Sequence, residues 1–321
     1  MFGMTEIRYG GKFIQPIVLA LGYFDCVHRG HSALLARAGA LASKQNAISA
    51  AFTFADGEGY PAVTGKLPIY GYLDRVRRMG EEGVRVTVYA DFDKKFQSLP
   101  AQKFLDKLFY TLHLRGIVAG GDFMFGKGGK GNIDTLKKYC ERRKIELEIM
   151  PDFLIDGERV SSSKVRELLE RGQIEAANAL LGAPYRHSGL VLPGRGLGSR
   201  IGIGTANLAL LPGRLRLGEG IYATYCLTET GLYPSVTSVG TQPTVGGTDY
   251  RAEAHIFDFH QNLHGKPLTI LYVKRLRSVV KFPSVEDMVR QIDIDIAEAK
   301  AVLGGTNAKP AATRKVNELQ F

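Results

Sequence analysis

The first half of the chain alternates short, unbroken apolar runs with amphipathic stretches. Residues 17–21 (IVLAL) run apolar into Gly22, the pattern of a strand buried on both faces. From about Gly30 the residues Leu34, Leu35, Ala38 and Leu41 share one face of a helix. The same reading predicts strands over 47–54, 84–90, 115–120 and 145–150. It places helices over 68–80, 100–113 and 132–143, with Phe104, Leu105, Leu108 and Leu112 on the inner face of the second. Strands alternating with helices predict an α/β fold with a doubly wound, mostly parallel sheet.

The texture then changes. Residues 161–172 open a helix behind three candidate N-cap serines, and a second short helix stops at Gly182. From 186 to 275 short β-rich runs (YATYCLT, SVTSVG, AEAHIFDF, LTILYV) alternate with Gly and Pro turns, which predicts an antiparallel barrel or sandwich. A helix over 284–303 closes the fold, with Val285, Met288, Val289, Ile292, Ile296 and Ala299 toward the core. The expected division is a domain over 1–184, a second over 185–304 and a polar tail over 305–321.

Composition narrows the classes. The chain has 321 residues, 45% of them hydrophobic and 23% charged, which fits folded domains rather than disorder. Three cysteines, Cys26, Cys140 and Cys226, form neither a disulfide framework nor a zinc spacing, so a reducing, cytoplasmic setting is expected. The opening MFGMTEIRYGGKF has no apolar core of signal-peptide length, and no run of 18 apolar residues exists. The net charge is 42 − 32 = +10, shared as 26 − 21 = +5 over 1–185 and 16 − 11 = +5 over 186–321. With no basic arm or stripe, phosphate-bearing small molecules explain that excess better than a nucleic acid, and no nucleic-acid or membrane partner is expected.

The sharpest chemical feature is GYFDCVHRGH at 22–31. A strand, a glycine-containing loop and a helix start offer free backbone N–H groups and a positive dipole end to a phosphate. His28 and His31, one turn apart, can aim at the same phosphate and stabilise charge that develops there. The plainer alternative makes one histidine a cap and the other a surface residue; zinc is disfavoured because no third ligand lies near. Two other segments point the same way. The Gly-rich run GGDFMFGKGGKGN at 120–132 follows a predicted strand at its carboxyl end. VSSSKVR at 160–166 sets Ser161, Ser162, Ser163 and Arg166 at a helix start, although capping alone would explain one serine.

Together these segments resemble, in order and spacing, the adenylyltransferase module of the bifunctional riboflavin kinase/FMN adenylyltransferases, a Rossmann-like nucleotidyltransferase. The resemblance implies that His28 and His31 act on ATP phosphates. It adds Gly22, Phe24, Asp25 and Gly30 to the ATP site and assigns Ser161–Ser163 and Arg166 to the triphosphate end. It implies that Asp122, Phe123 and Phe125 lie at the flavin or nucleotide. One departure is the missing His-Pro pair in FTFADGEGYP at 52–61, where Phe52 and Phe54 remain.

The likeness continues into the second half. GRGLGSRIGIGTANL at 194–208 matches the family's Gly-rich flap and Pro-Thr-Ala-Asn motif, with Gly204 in place of the proline and Ser199 in place of an arginine. By resemblance, Gly198 and Gly202 wrap ATP phosphates, and Thr205 and Asn207 ligand Mg²⁺, as hydroxyl and amide oxygens suit a hard cation. Glu253, in RAEAHIFDF, falls where the family keeps its general base, and Arg277 where it contacts flavin. On its own residues, Glu253 would read as an outward strand residue and Arg277 as a surface arginine. His255, His260 and His264 read as ordinary polar residues.

The expected function is therefore phosphorylation of riboflavin to FMN and adenylylation of FMN to FAD, with ATP as co-substrate and Mg²⁺ as cofactor. Two alternatives stand beside it. One keeps only the adenylyltransferase, because the flap is altered; the other is a non-enzymatic flavin- or RNA-binding regulator.

Overall fold

The structure, a computed structural model, describes residues 4–55, 66–193, 204–209, 213–244 and 247–304, with the side chains of 242–249 outside that description. Gly198, Gly202 and Ser199, residues 56–61 of the divergent loop, and the tail from 305 therefore lie outside the described residues. The chain divides into two compact units, one ending at Ser162 and the other beginning at Ser163.

The first unit is a six-stranded, all-parallel sheet with helices on both faces. Its strands are β1 (Thr5–Arg8), β2 (Phe13–Leu21), β3 (Ile48–Phe54), β4 (Val86–Ala90), β5 (Leu112–Gly120) and β6 (Glu146–Met150), in spatial order β1-β4-β3-β2-β5-β6. The apolar run of β2 is needed because both its faces are covered. Ile17, Leu19 and Leu21 pack with Phe104, Leu108 and Leu136 on one side, while Val18 and Ala20 meet Leu34, Leu35 and Ala38 on the other. The helices are α1 (Arg29–Lys44), α2 (Tyr72–Glu81), the one-turn α3 (Lys94–Gln97), α4 (Ala101–Thr111) and α5 (Ile133–Arg143). Leu112, read from periodicity as helical, instead opens β5: its backbone turns extended (φ −118°, ψ 140°) and its side chain is buried there. A small antiparallel pair, β7 (Leu154–Ile155) and β8 (Glu158–Arg159), follows β6.

The order of these strands locates the site. The chain winds from β2 through β3 to β4 in one direction, then returns to set β5 on the other side of β2. Between β2 and β5 the helices that follow each strand leave on opposite faces, which opens a crevice beyond the strands' carboxyl ends. Gly22 and Gly120 lie at that edge.

The second unit is a closed antiparallel barrel, not a sandwich. Strands β9 (Tyr185–Leu192), β10 (Ala206–Ala209), β11 (Gly220–Thr228), β12 (Gly231–Thr244), β13 (Gly247–Ile256) and β14 (Pro267–Arg277) close in the order β10-β13-β12-β11-β14-β9. Closure removes both sheet edges. The interior holds Leu208, Thr237, Val239, Ala252 and Ala254, all fully buried, and a hydroxyl trio in which Thr224 Oγ1 lies 2.7 Å from both Ser235 Oγ and Thr237 Oγ1. Helices α6 (Ser162–Glu170) and α7 (Ile174–Leu181) dock on this barrel: Gly218 N–H donates to Leu169 O at 2.8 Å, and Asn178 Nδ2 to Tyr272 O at 2.8 Å.

The last helix, α8 (Val285–Gly304), lies on the outside of the barrel, where Ala299 and Leu303 pack against Ile221, Ala223 and Val236. Its core face differs from the apolar stripe read in the sequence. Val285, at the first turn, is exposed, and Asp295 is buried in its place among the inward positions. An ion pair described below makes that burial tolerable.

Candidate functional site

At the crevice between β2 and β5 lies a cleft of about 670 Å³. The chain leaves β2 through Gly22, where any Cβ would sit 2.8 Å from the Phe24 ring. Phe24 and Val27 then adopt φ of 54° and 45°, a left-handed conformation that costs a β-branched valine on the order of 1–3 kcal/mol. Strain of this kind persists only where the surroundings enforce it. Here Asp25, fully buried, accepts a bond from Ile69 N at 3.0 Å. Asp25 therefore holds the loop from behind, while Gly22, Phe24, His28, Gly30 and His31 line the cleft.

His28 is the N-cap of α1, its Nδ1 accepting from His31 N at 3.3 Å. The two imidazoles stack at 3.8 Å between centroids and 12° between planes. Gly30 keeps this contact uncrowded, since a Cβ there would meet His28 and Phe153 at 3.2 Å. Burial pushes the His28 pKa down to about 4, and burial, with His28 second, pushes His31 well below its usual value. Both rings are thus neutral at pH 7. Because Nδ1 of His28 accepts, its proton sits on Nε2, which makes that atom a donor. His31 Nδ1 is buried with no hydrogen-bond partner among the described residues.

The far wall is aromatic. Phe123 and Phe125 stack at 5.6 Å, Phe125 and Phe104 lie at 5.5 Å, and Phe54 meets Phe92 at 5.1 Å. The Gly-rich loop after β5 turns tightly here, with Phe125 bridging Gly131. Gly126 (φ 72°) admits no side chain, because a Cβ would fall 2.5 Å from the backbone of Ala101. Asp122 is at the rim, ion-paired to Arg159, which also reaches Asp152 at 2.9 Å. Ser161 and Ser162 line the cleft, and Cys26 Sγ lies 3.6 Å from Ser162 Oγ. Ser163 and Arg166 follow on α6, within the second unit, where Arg166 is buried. Sequence reading missed Phe92, Phe104, Met124, Phe153 and Arg159, which come from separate elements and carry no local motif.

The second constellation is a row across five barrel strands. Asn207 pairs in register with Glu253, Glu253 with Ser238, Ser238 with Ile221, and Ile221 with Arg277. Directly opposed residues on antiparallel strands share a face, with Cβ atoms about 4.5–5.5 Å apart. Ile221 contacts α8, so this row is on the outside of the barrel. Asn207 is buried, and its Oδ1 has no hydrogen-bond partner among the described residues, while its Nδ2 is 3.4 Å from Thr205 O. Glu253 and Ser238 are half-buried. Arg277 donates twice to Asp295 of α8, at 2.7 and 2.6 Å, and Gln291 Nε2 donates to the same carboxylate at 3.0 Å. His255, two residues along from Glu253, donates from Nδ1 to Gly204 O at 2.9 Å and so ties down the chain just before Thr205. It is a structural strut rather than a generic polar residue.

Comparison with known proteins covers both units. A family described as FAD synthetase matches residues 12–164, and one described as riboflavin kinase matches residues 181–303. The chain is 32% identical over 304 residues to a bifunctional riboflavin kinase/FMN adenylyltransferase of Haemophilus influenzae, covering 92% of this chain and 97% of that one. It is 32% identical to the Bacillus subtilis protein of the same name, covering 88% and 91%. A crystal structure described as a macrolide-efflux protein from Streptococcus pneumoniae superposes with a TM-score of 0.82 at 30% identity, over 92% of this chain and 99% of that one.

Proposed function

The chain belongs to the bifunctional riboflavin kinase/FMN adenylyltransferase family, and we propose that it makes FMN on the outer row of its barrel and FAD in the cleft of its parallel-sheet unit. The observation that carries this reading is the placement of His28 and His31 at the switch point between β2 and β5, in the crevice that the sheet order opens there. The efflux description of the structural neighbour is not extended to this chain; among the described residues no helix is long and apolar enough to cross a membrane. Cys26, Cys140 and Cys226 are all buried and none is in a disulfide, which supports a reducing compartment such as the cytoplasm.

In the cleft, a phosphate oxygen of FMN attacks the α-phosphorus of ATP, the new P–O bond forms, and the bond to pyrophosphate breaks. No general base is needed, because the nucleophile is already an anion. The protein's part is position and charge. His28 Nε2–H donates to a phosphate oxygen at the start of α1, where the helix dipole adds positive potential. The stacked phenylalanines offer flat apolar faces for the flavin ring. Ser161 and Ser162 offer hydroxyls to the departing pyrophosphate.

On the barrel, Glu253 takes the proton of the ribityl terminal hydroxyl as its oxygen attacks the γ-phosphorus and ADP leaves. Asn207 and Thr205 fit Mg²⁺: the Asn207 Oδ1 is a buried hard oxygen with no partner among the described residues, and the Thr205 hydroxyl belongs to the same turn into β10. Bound there, Mg²⁺ would supply charge neutralisation at the ATP phosphates, with Asn207 and Thr205 as the residues that hold it. Purified chain given riboflavin, ATP and Mg²⁺ is expected to yield FMN and then FAD by chromatography. Neither product from folded protein would overturn the proposal; FAD from FMN with no FMN from riboflavin would leave the adenylyltransferase alone.

A further inference from the structure

The outer row of the barrel is graded in chemistry. From β10 to β14 it presents an amide, a carboxylate, a hydroxyl, an aliphatic side chain and a guanidinium: Asn207, Glu253, Ser238, Ile221 and Arg277. Sequence reading had a role for the first, second and last of these and none for Ser238. Its position is determined by strand register alone. It is directly opposite Glu253 on the neighbouring strand, so its Cβ is about 4.5–5.5 Å from that of the proposed base, on the same face. Its other neighbour, Ile221, is packed under α8.

The surroundings leave the Ser238 hydroxyl uncommitted. It makes no hydrogen bond to any described residue, unlike the inward Thr224, Ser235 and Thr237, which satisfy one another. The next outward position along β12 is Gly240, which adds no side chain to the row; a Cβ there would touch Glu219 and Val279 at 3.8 Å. A serine in a strand interior has weak β-propensity and no packing reason to be chosen over valine or threonine. A half-buried hydroxyl one strand away from a proton acceptor suits a substrate carrying several hydroxyls in a chain.

Resting on the kinase reading given above, we propose that Ser238 is a substrate-positioning residue that hydrogen-bonds a hydroxyl of the flavin's polyol chain next to the one that reacts at Glu253. A two-point grip fixes which hydroxyl faces the base, because a chain held only at its reacting end can slide by one carbon. The order of the row then matches the order of groups in the reaction: phosphate end at Asn207, reacting hydroxyl at Glu253, neighbouring hydroxyl at Ser238.

The test uses full-length chain, wild type and Ser238→Ala, with two ligands. One is riboflavin; the other is a ring-only flavin that carries methyl in place of the ribityl chain. In Ser238→Ala the KM for riboflavin should rise about five- to tenfold, the scale of one lost hydrogen bond, while the KM for ATP stays within twofold. Affinity for the ring-only flavin, read by fluorescence, should not change, and FAD formation from FMN in the other unit should proceed at the wild-type rate. An unchanged riboflavin KM overturns the proposal. An equal loss of affinity for both flavins also overturns it, because that is the mark of a role in packing. Failure of the wild type to phosphorylate riboflavin would defeat the kinase reading instead, and is seen before any variant is compared.

Discussion

At the scale of single residues, the histidine pair couples chemistry to stability. His28 keeps a pKa of about 4 in the folded chain against 6.5 when unfolded, because burial disfavours its charged form. A depressed pKa gives stability that is whole above pH 6.5 and is lost as pH falls toward 4, since the unfolded chain then binds the proton first. The full loss is about 3 kcal/mol from His28 alone. His28→Asn keeps a good N-cap acceptor but does not titrate. Urea unfolding of that variant should therefore depend less steeply on pH between 6.5 and 4 than wild type. Its FMN adenylylation at pH 7 should fall on the order of 100-fold, the usual cost of a donor aimed at developing charge.

Gly204 offers a second residue-scale prediction. It is exposed, and a Cβ there would meet nothing within 4 Å. Its carbonyl, which His255 holds, is a group that proline keeps. Gly204→Pro should thus restrict the backbone leading into β10 and narrow the unfolded states, with no described atom within 4 Å of the new Cβ. The expected result is a two- to fivefold rise in kcat/KM for ATP in FMN formation, measured with riboflavin saturating; a fall would mean that the glycine's freedom is used in turnover.

At the scale of elements, α8 is held by polar contacts as well as by its apolar face, among them Tyr225 Oη donating to Leu303 O at 3.2 Å. The pairing of Arg277 with buried Asp295 closes β14 onto the helix. Arg277→Met should cost about 3 kcal/mol, because it strands a buried carboxylate; Asp295→Asn should cost about 1–2 kcal/mol. The double variant should lose less than the sum, with a coupling of about 2 kcal/mol. Chemical unfolding should show this in the transition of one unit only. This contact explains where sequence reading of α8 fell short. The apolar stripe read from the sequence includes Val285 and passes over Asp295, since a buried Asp is legible only with its partner from a distant strand. By contrast β2 was legible, because a run of five apolar residues has no use except between two covered faces. The loop behind it was legible too, because glycines and histidines fixed to a strand end carry their meaning locally. The row across the barrel was not, since register between paired residues 15 to 56 positions apart is written in no single segment.

At the scale of the whole chain, the two constellations draw on separate units: the cleft is lined from residues 21–162, and the row runs from 207 to 277. The +10 charge is split evenly along the sequence in the same way, as suits two sites that each bind phosphates. Each constellation should then be removable without the other. His28→Asn should leave FMN formation from riboflavin at the wild-type rate, and Glu253→Gln should leave FAD formation from supplied FMN intact while slowing the kinase step by about 100- to 10,000-fold. Neither variant alone makes FAD from riboflavin at a useful rate. Mixed in one tube, they should, because FMN released by the first is substrate for the second. The rate should show a lag that shortens as total protein rises, since FMN must build up in solution before the second enzyme is filled. If the mixture stays silent while each variant keeps its own half-reaction, FMN is not released between steps and the two units do not act as separable enzymes.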